Sequence, residues 1–255
     1  MRAPSVLVLS CEHAGNRVPA RHARLLRGRR RLLESHRGWD PGALGVARAI
    51  ARRLEVPLLA HTTTRLLADA NRSLMHRRLF SEVTRALPPP ERTAILARHW
   101  APHRRAVEAA VRQALAQGAR VLHLSVHSFT PVFDGERRRV DVGLLFDPHH
   151  PGERTLCRRW QAILRELDPA LRVRRNAPYR GVADGITTTL RRALGTPRYL
   201  GVELELSQAL VAPGAPAARR VRALVAESLA QLLGRGARVS RRSSSAGRAR
   251  ARSRA

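Results

Sequence analysis

Ser5-Val6-Leu7-Val8-Leu9-Ser10-Cys11-Glu12-His13-Ala14-Gly15-Asn16-Arg17-Val18-Pro19 joins a short apolar run to a polar loop. Ser5–Ser10 hardly alternates, as expected of a strand covered on both faces; a strand with one wet face would show a polar residue at every second position. Such a strand belongs in a sheet sandwiched between helices, and the loop at its end is where α/β proteins place their chemistry.

The chain beyond it repeats the theme. Residues 41–54 have helical spacing with Pro41 in the first turn, and the apolar run 56–60 reads as a strand. Pro88-Pro89-Pro90 interrupts the pattern, which resumes as a long helix over 91–117, bent at Pro102 and ended by Gly118. Strands are predicted at 121–126, 140–146, 171–175 and 199–206, with helices at 153–167, 186–194 and 217–233. Strands alternating with helices require crossover connections, so the expected fold is a three-layer α/β/α domain with a mixed, mostly parallel sheet. The domain spans residues 1–234, and the Arg/Ser-rich stretch 235–255 reads as a disordered tail.

Composition narrows the class. With 255 residues, 44% of them hydrophobic, the chain can bury a sizeable core. No apolar run approaches the ~20 residues that span a bilayer, and the opening residues lack the pattern of a secretory leader, so a cytoplasmic protein is expected. Cys11 and Cys157 stand far apart with no Cys-x-x-Cys, so any metal needs histidine and carboxylate ligands. The net charge is +29 and every one of the 48 cations is arginine. A surface selected for phosphate would use lysine as well, so the charge reflects compositional bias and identifies no partner. Aromatics at 4% offer few platforms for stacking nucleobases, and no nucleic acid is expected.

Four places concentrate chemistry. His13 follows the first strand with small residues beside it. His36-Arg37-Gly38-Trp39-Asp40 precedes a helix, where Asp40 is also a plausible N-cap. His127 lies at the C-terminal end of a strand, where side chains leave the sheet for the ligand crevice, whereas His123 lies inside it. Glu203 and Glu205 sit at i and i+2 of one strand and share a face, a costly arrangement unless the carboxylates are paired, metal-bound or catalytic. His99 and His103 have helical spacing but no His-Glu-x-x-His pattern, and read as solvated. His149-His150 reads as an exposed turn. No glycine-rich phosphate loop occurs, which weighs against a nucleotide cofactor.

Taken in order, Cys11–Pro19, His36–Ala43, Ala68-Asp69-Ala70-Asn71-Arg72-Ser73, Ser125–Pro131, Asp141–Asp147, Asn176–Gly181 and Gly201–Gln208 resemble the N-formylglutamate amidohydrolase family over residues 5–210. The resemblance implies a phosphorylase/hydrolase-like α/β fold related to zinc carboxypeptidases. It also implies hydrolysis of N-formyl-L-glutamate to formate and glutamate, late in histidine breakdown.

Carried onto this chain, the resemblance makes His13 and His127 zinc ligands, with another divalent metal as an option. The carboxypeptidase pattern wants a glutamate where Asn16 stands, so Asp40 is taken as the third ligand, with Glu12 as the alternative. Asn71 and Arg72 match the pair that holds the substrate carboxylate and polarises the carbonyl. Ser128 and Arg180 join them as substrate-binding candidates, and Glu205, rather than Glu203, is the expected general base. The partner is a small acidic N-acyl amino acid. Two alternatives stand beside this reading: a zinc deacylase acting on another N-acyl amino acid or a peptidoglycan fragment, and a non-enzymatic basic protein that binds nucleic acid. The oligomeric state is left open.

Overall fold

A computed structural model of the chain describes residues 6–234. The Arg/Ser-rich tail expected from Arg235 lies outside the described residues. The strands are β1 (Val6–Cys11), β2 (Leu58–Ala60), β3 (Val121–Phe129), β4 (Val132–Phe133), β5 (Glu136–Arg137), β6 (Val142–Leu145), β7 (Val173–Arg175) and β8 (Tyr199–Ser207). The helices are α1 (Arg30–Glu34), α2 (Ala43–Leu54), α3 (Pro89–Ile95), α4 (Ala101–Ala116), α5 (Pro151–Leu167), α6 (Ile186–Leu194), α7 (Gln208–Val211) and α8 (Ala218–Leu232).

Six strands form one sheet in the order β2-β1-β3-β8-β6-β7. Every neighbouring pair is parallel except β6 with β8. Leu7, Leu9, Leu122, Leu124, Leu200 and Val202 turn to one side, where they pack with Val46 and Ile50 of α2, Trp160 of α5 and Val225 of α8. The intervening Val8, Val121 and Tyr199 turn to the other side against Val107 and Val111 of α4 and Ile186 and Leu190 of α6. Period-two alternation thus feeds two apolar layers from strands that look continuously apolar in sequence. This is the expected three-layer α/β/α fold.

The long helix read over 91–117 occurs as α3 and α4 joined by a widened π turn at Leu96–Trp100. Pro102 explains the change: it lacks an N–H for the preceding turn, so the ladder cannot run straight through. The small hairpin of β4 and β5 and the short α1 carry too few periodic residues to be read from sequence.

Residues 61–88 form turns rather than helices or strands. The segment is nevertheless anchored. Leu66, Leu67 and Leu79 are buried, and the hydroxyls of Ser81 and Thr84 donate to the carbonyls of Leu66 and Leu67. A loop this long inside a compact domain is usually functional, and this one forms a wall of the main cavity. Among the described residues no helix is long and apolar enough to cross a membrane.

Candidate active site

The alternation that builds the core also assembles the site. Val8, His123 and Gly201 are register partners across β1, β3 and β8; Ser10, Ser125 and Glu203 form the next row, and His127 pairs with Glu205 beyond it. The α4/α6 side of the sheet is therefore apolar near the strand starts and becomes polar toward their C-terminal ends. The crossover loops gather there, as they do in parallel sheets generally.

His13 and His127 meet at that edge with ring centroids 5.0 Å apart. Asp40 Oδ2 lies 3.3 Å from His13 Nδ1 and 3.0 Å from His127 Nδ1. All three residues are buried, and their ligand atoms lie within 4.8 Å of one another. Asp40 Oδ1 is buried without a hydrogen-bond partner. Two imidazole nitrogens and a carboxylate with a spare oxygen form a donor set that fits a divalent cation such as zinc. Asp40 does not cap α2: the N-cap there is Gly42, with no side-chain cap bond.

The far nitrogen of each ring is occupied. His13 Nε2 lies 2.6 Å from Asp69 Oδ1. His127 Nε2 lies 2.8 Å from Ser125 Oγ and 3.3 Å from Glu12 Oε2. Glu12, the alternative ligand, is fully buried on that side of His127 and also holds His103 Nε2 at 3.1 Å. Burial opposes its ionisation, but hydrogen bonds from His103 and His127 hold its carboxyl well below the usual range. The structure thus brings Asp40, and not Glu12, to both Nδ1 atoms. It also corrects one expectation: His103 is buried and braces Glu12 instead of facing solvent. His150 likewise caps α5, accepting the Glu153 N–H at 3.2 Å, while His149 is exposed.

Burial lowers the His127 pKa, yet the carboxylates of Asp40 and Glu12 outweigh it and raise the group well above an ordinary histidine. His123 behaves oppositely. It is sealed between Ser10 Oγ at 2.8 Å and Tyr199 OH at 2.9 Å, and desolvation pushes it down to about 4. It is a neutral core residue.

The two strand carboxylates separate as well. Glu203 accepts a hydrogen bond from Thr187 Oγ1 at 3.0 Å, at the start of α6. Glu205 is buried, and its Oε2 has no partner. Burial raises it to about 8, with the Asp40 and Glu203 charges adding to the shift and His127 opposing it. Across the sheet its register partner is Gly143, where a Cβ would stand 2.2 Å from the Ala177 carbonyl. The missing side chain lets the Asn176–Gly181 loop, with Tyr179 and Arg180, approach the site.

A cavity of about 550 Å³ opens over these groups, lined by His13, Asp40, Asn71, Arg72, His127, Ser128, Arg180 and Glu205 together with Arg65, Asp69 and His36. Not every expected substrate contact is free. Asn71 Oδ1 accepts the Ile186 N–H at 2.8 Å, and its Nδ2 lies 3.3 Å from His127 Nε2. Ser128 Oγ donates to the Pro41 carbonyl at 2.8 Å. Arg72 donates to the Asp184 carbonyl and lies 3.9 Å from Asp69 Oδ2. Arg180 is exposed at the rim. Sequence reasoning left Asp69, Arg65 and His36 without roles. Asp69 and His36 lay within the quoted motifs, but no spacing rule says which carboxylate a histidine ring will meet.

Residues 5–212 match the family profile described as N-formylglutamate amidohydrolase. No protein with a curated description matches the chain. Among solved structures, a gene product of Agrobacterium tumefaciens is 29% identical with a TM-score of 0.73, covering 90% of this chain and 92% of its own. The N-formylglutamate amidohydrolase of Ralstonia eutropha is 22% identical with a TM-score of 0.66, covering 91% of this chain and 94% of its own, a likeness of fold. With its profile match spanning most of the domain and its buried His–Asp–His cluster at the sheet's C-terminal edge, the chain belongs to the N-formylglutamate amidohydrolase family, hydrolases of amide bonds.

Proposed function

We propose that the protein hydrolyses N-formyl-L-glutamate, or a close N-acyl acidic amino acid, to the free acid and amine, in the cytoplasm and without a nucleic-acid partner. The observation that carries the reading is Glu205: a buried carboxylate with an unpartnered oxygen, facing the same cavity as His13, Asp40 and His127. His13, Asp40 and His127 would hold zinc, which when bound lowers the pKa of a water from ~15.7 toward ~7 and polarises a carbonyl.

The rest falls to the chain's own groups. Glu205 accepts a proton from the attacking water and returns it to the leaving nitrogen; without a cation its burial favours the protonated form, and a positive charge held by His13, Asp40 and His127 would favour the carboxylate that takes the proton. Arg72 is anchored by the Asp184 carbonyl and keeps donors for the developing oxyanion or a substrate carboxylate. Arg180, at the rim, suits the second carboxylate of a dianion. Asn71 acts mainly by fixing the His127 ring and the start of α6, and Ser128 by fixing Pro41 beside Asp40.

A second reading keeps the chemistry and enlarges the acyl group. The cavity of about 550 Å³ exceeds what a formyl group and glutamate fill, which favours a bulkier N-acyl substrate. Formate or acid release from N-formylglutamate, assayed beside N-acetylglutamate, N-formylaspartate and longer acyl analogues, separates the two. Turnover fastest on N-formylglutamate supports the first reading, and preference for a long acyl chain overturns it.

A further inference from the structure

Arg65 follows β2 in the wall of the cavity, with its backbone N–H bonded to the Gly38 carbonyl at 3.2 Å. Its side chain is only 17% exposed and turns inward. Nη1 lies 3.0 Å from His13 Nδ1, and Nη2 lies 3.4 Å from Asp40 Oδ1 and 3.3 Å from His36 Nε2. Nη2 also donates to the His36 carbonyl. The guanidinium therefore stands against the two donor groups that, with His127, form the convergent set, and beside the Asp40 oxygen that has no hydrogen bond.

That placement has a physical reason. A buried carboxylate needs a counter-charge, and arginine supplies one that cannot be lost to deprotonation. The same charge is unfavourable for a divalent cation taking up the same atoms, because two positive centres a few ångströms apart repel strongly where water is excluded. We propose that Arg65 is the internal counter-ion of the metal-free centre and competes with the metal for it. Loading drives the guanidinium off His13 Nδ1 and Asp40, while the His36 carbonyl and the Gly38 bond keep it at the cavity wall. A cationic donor is then presented to an anionic substrate only when the centre is filled. The proposal rests on reading His13, Asp40 and His127 as metal ligands.

Zinc affinity, measured by competition with a chromophoric chelator, tests it on wild type, Arg65→Met, Arg65→Lys and the cavity-rim control Arg85→Met. Removing a competitor raises affinity, so Arg65→Met should bind zinc at least tenfold more tightly, Arg65→Lys by a smaller factor, and Arg85→Met within about threefold of wild type. A merely structural role for Arg65 would lower affinity instead. On wild type, phenylglyoxal labelling read by peptide mapping should show Arg65 reacting faster with zinc than without it. Should Arg65→Met not fold, this labelling decides alone. Unchanged or weaker zinc binding by a folded Arg65→Met, or equal labelling with and without zinc, overturns the proposal. Wild type that binds no zinc, or binding that survives His13→Ala and His127→Ala, overturns the ligand reading itself and this proposal with it.

Discussion

His13 Nε2 and Asp69 Oδ1 lie 2.6 Å apart, and this contact decides which nitrogen of the ring faces Asp40. A carboxylate behind a histidine fixes its tautomer and orientation and makes the other nitrogen a better ligand. Burial opposes ionisation of Asp69, but His13 and then Arg65 outweigh it, holding the group below the ordinary carboxylate range.

Asp69→Asn should therefore keep the fold and lose metal affinity by about 10–100-fold. Chelator competition beside a circular-dichroism melt measures both. Unaltered affinity would show that the ring is oriented by packing alone.

Glu205→Gln should retain metal and fold while kcat falls by about 10²–10⁴, the usual contribution of a positioned acid or base. Glu203→Gln, which disturbs the Thr187 bond and removes one of the charges that raise Glu205, should stay within about tenfold of wild type. The reverse ranking would mean that the roles of the two strand carboxylates must be exchanged.

Glu153 is fully buried and accepts both guanidinium arms of Arg191, at 2.9 and 3.0 Å, and the N–H of Gly201 at 2.8 Å. It ties α5, α6 and β8 together. Glu153→Ala should cost about 3–5 kcal/mol because it removes the charge partner of the mostly buried Arg191 and leaves the N–H groups of Asp147 and Gly201 without their acceptor. Urea unfolding of the metal-free protein is the measurement, and a loss below about 1 kcal/mol would show that water reaches Arg191.

His123 makes stability depend on pH. Its folded pKa of about 4 lies below the 6.5 of an ordinary histidine, so between these values the unfolded chain binds more protons. Stability should fall as pH drops from about 6.5 to 4, with His123 contributing up to about 1.4 kcal/mol per pH unit. His123→Gln, which can still bond Ser10 and Tyr199, should flatten that slope. An unchanged slope would assign it to other buried groups.

Much of the fold was legible because it rests on local patterns. The strands within the apolar runs, at 6–10, 121–126 and 199–206, are covered on both sides, and this shows directly in composition. Residues 186–194 read as a helix from their amphipathic spacing and occur as one. An irregularity at Pro102 was expected from proline chemistry, but as a bend, and the widened turn at Leu96–Trp100 was not foreseen. Residues 61–88 carry no periodicity, so their path was invisible in sequence even though they supply Arg65, Asp69, Asn71 and Arg72.

The same division runs through the site. His13, His127 and the two glutamates stand out in sequence because polar groups at the ends of buried strands are costly without a purpose. By itself the sequence determined the layered α/β class, the family resemblance and the residue types that meet at the sheet's edge. Tertiary structure decided that Asp40 faces both Nδ1 atoms while Glu12 stands behind His127, that His103 is a brace, that Glu203 is tied to Thr187 while Glu205 is free, and that Arg65 lies against the histidine–aspartate cluster. Those choices depend on contacts between segments from 16 to more than a hundred residues apart. Strand register and loop path set them, and neither leaves a periodic trace in the chain.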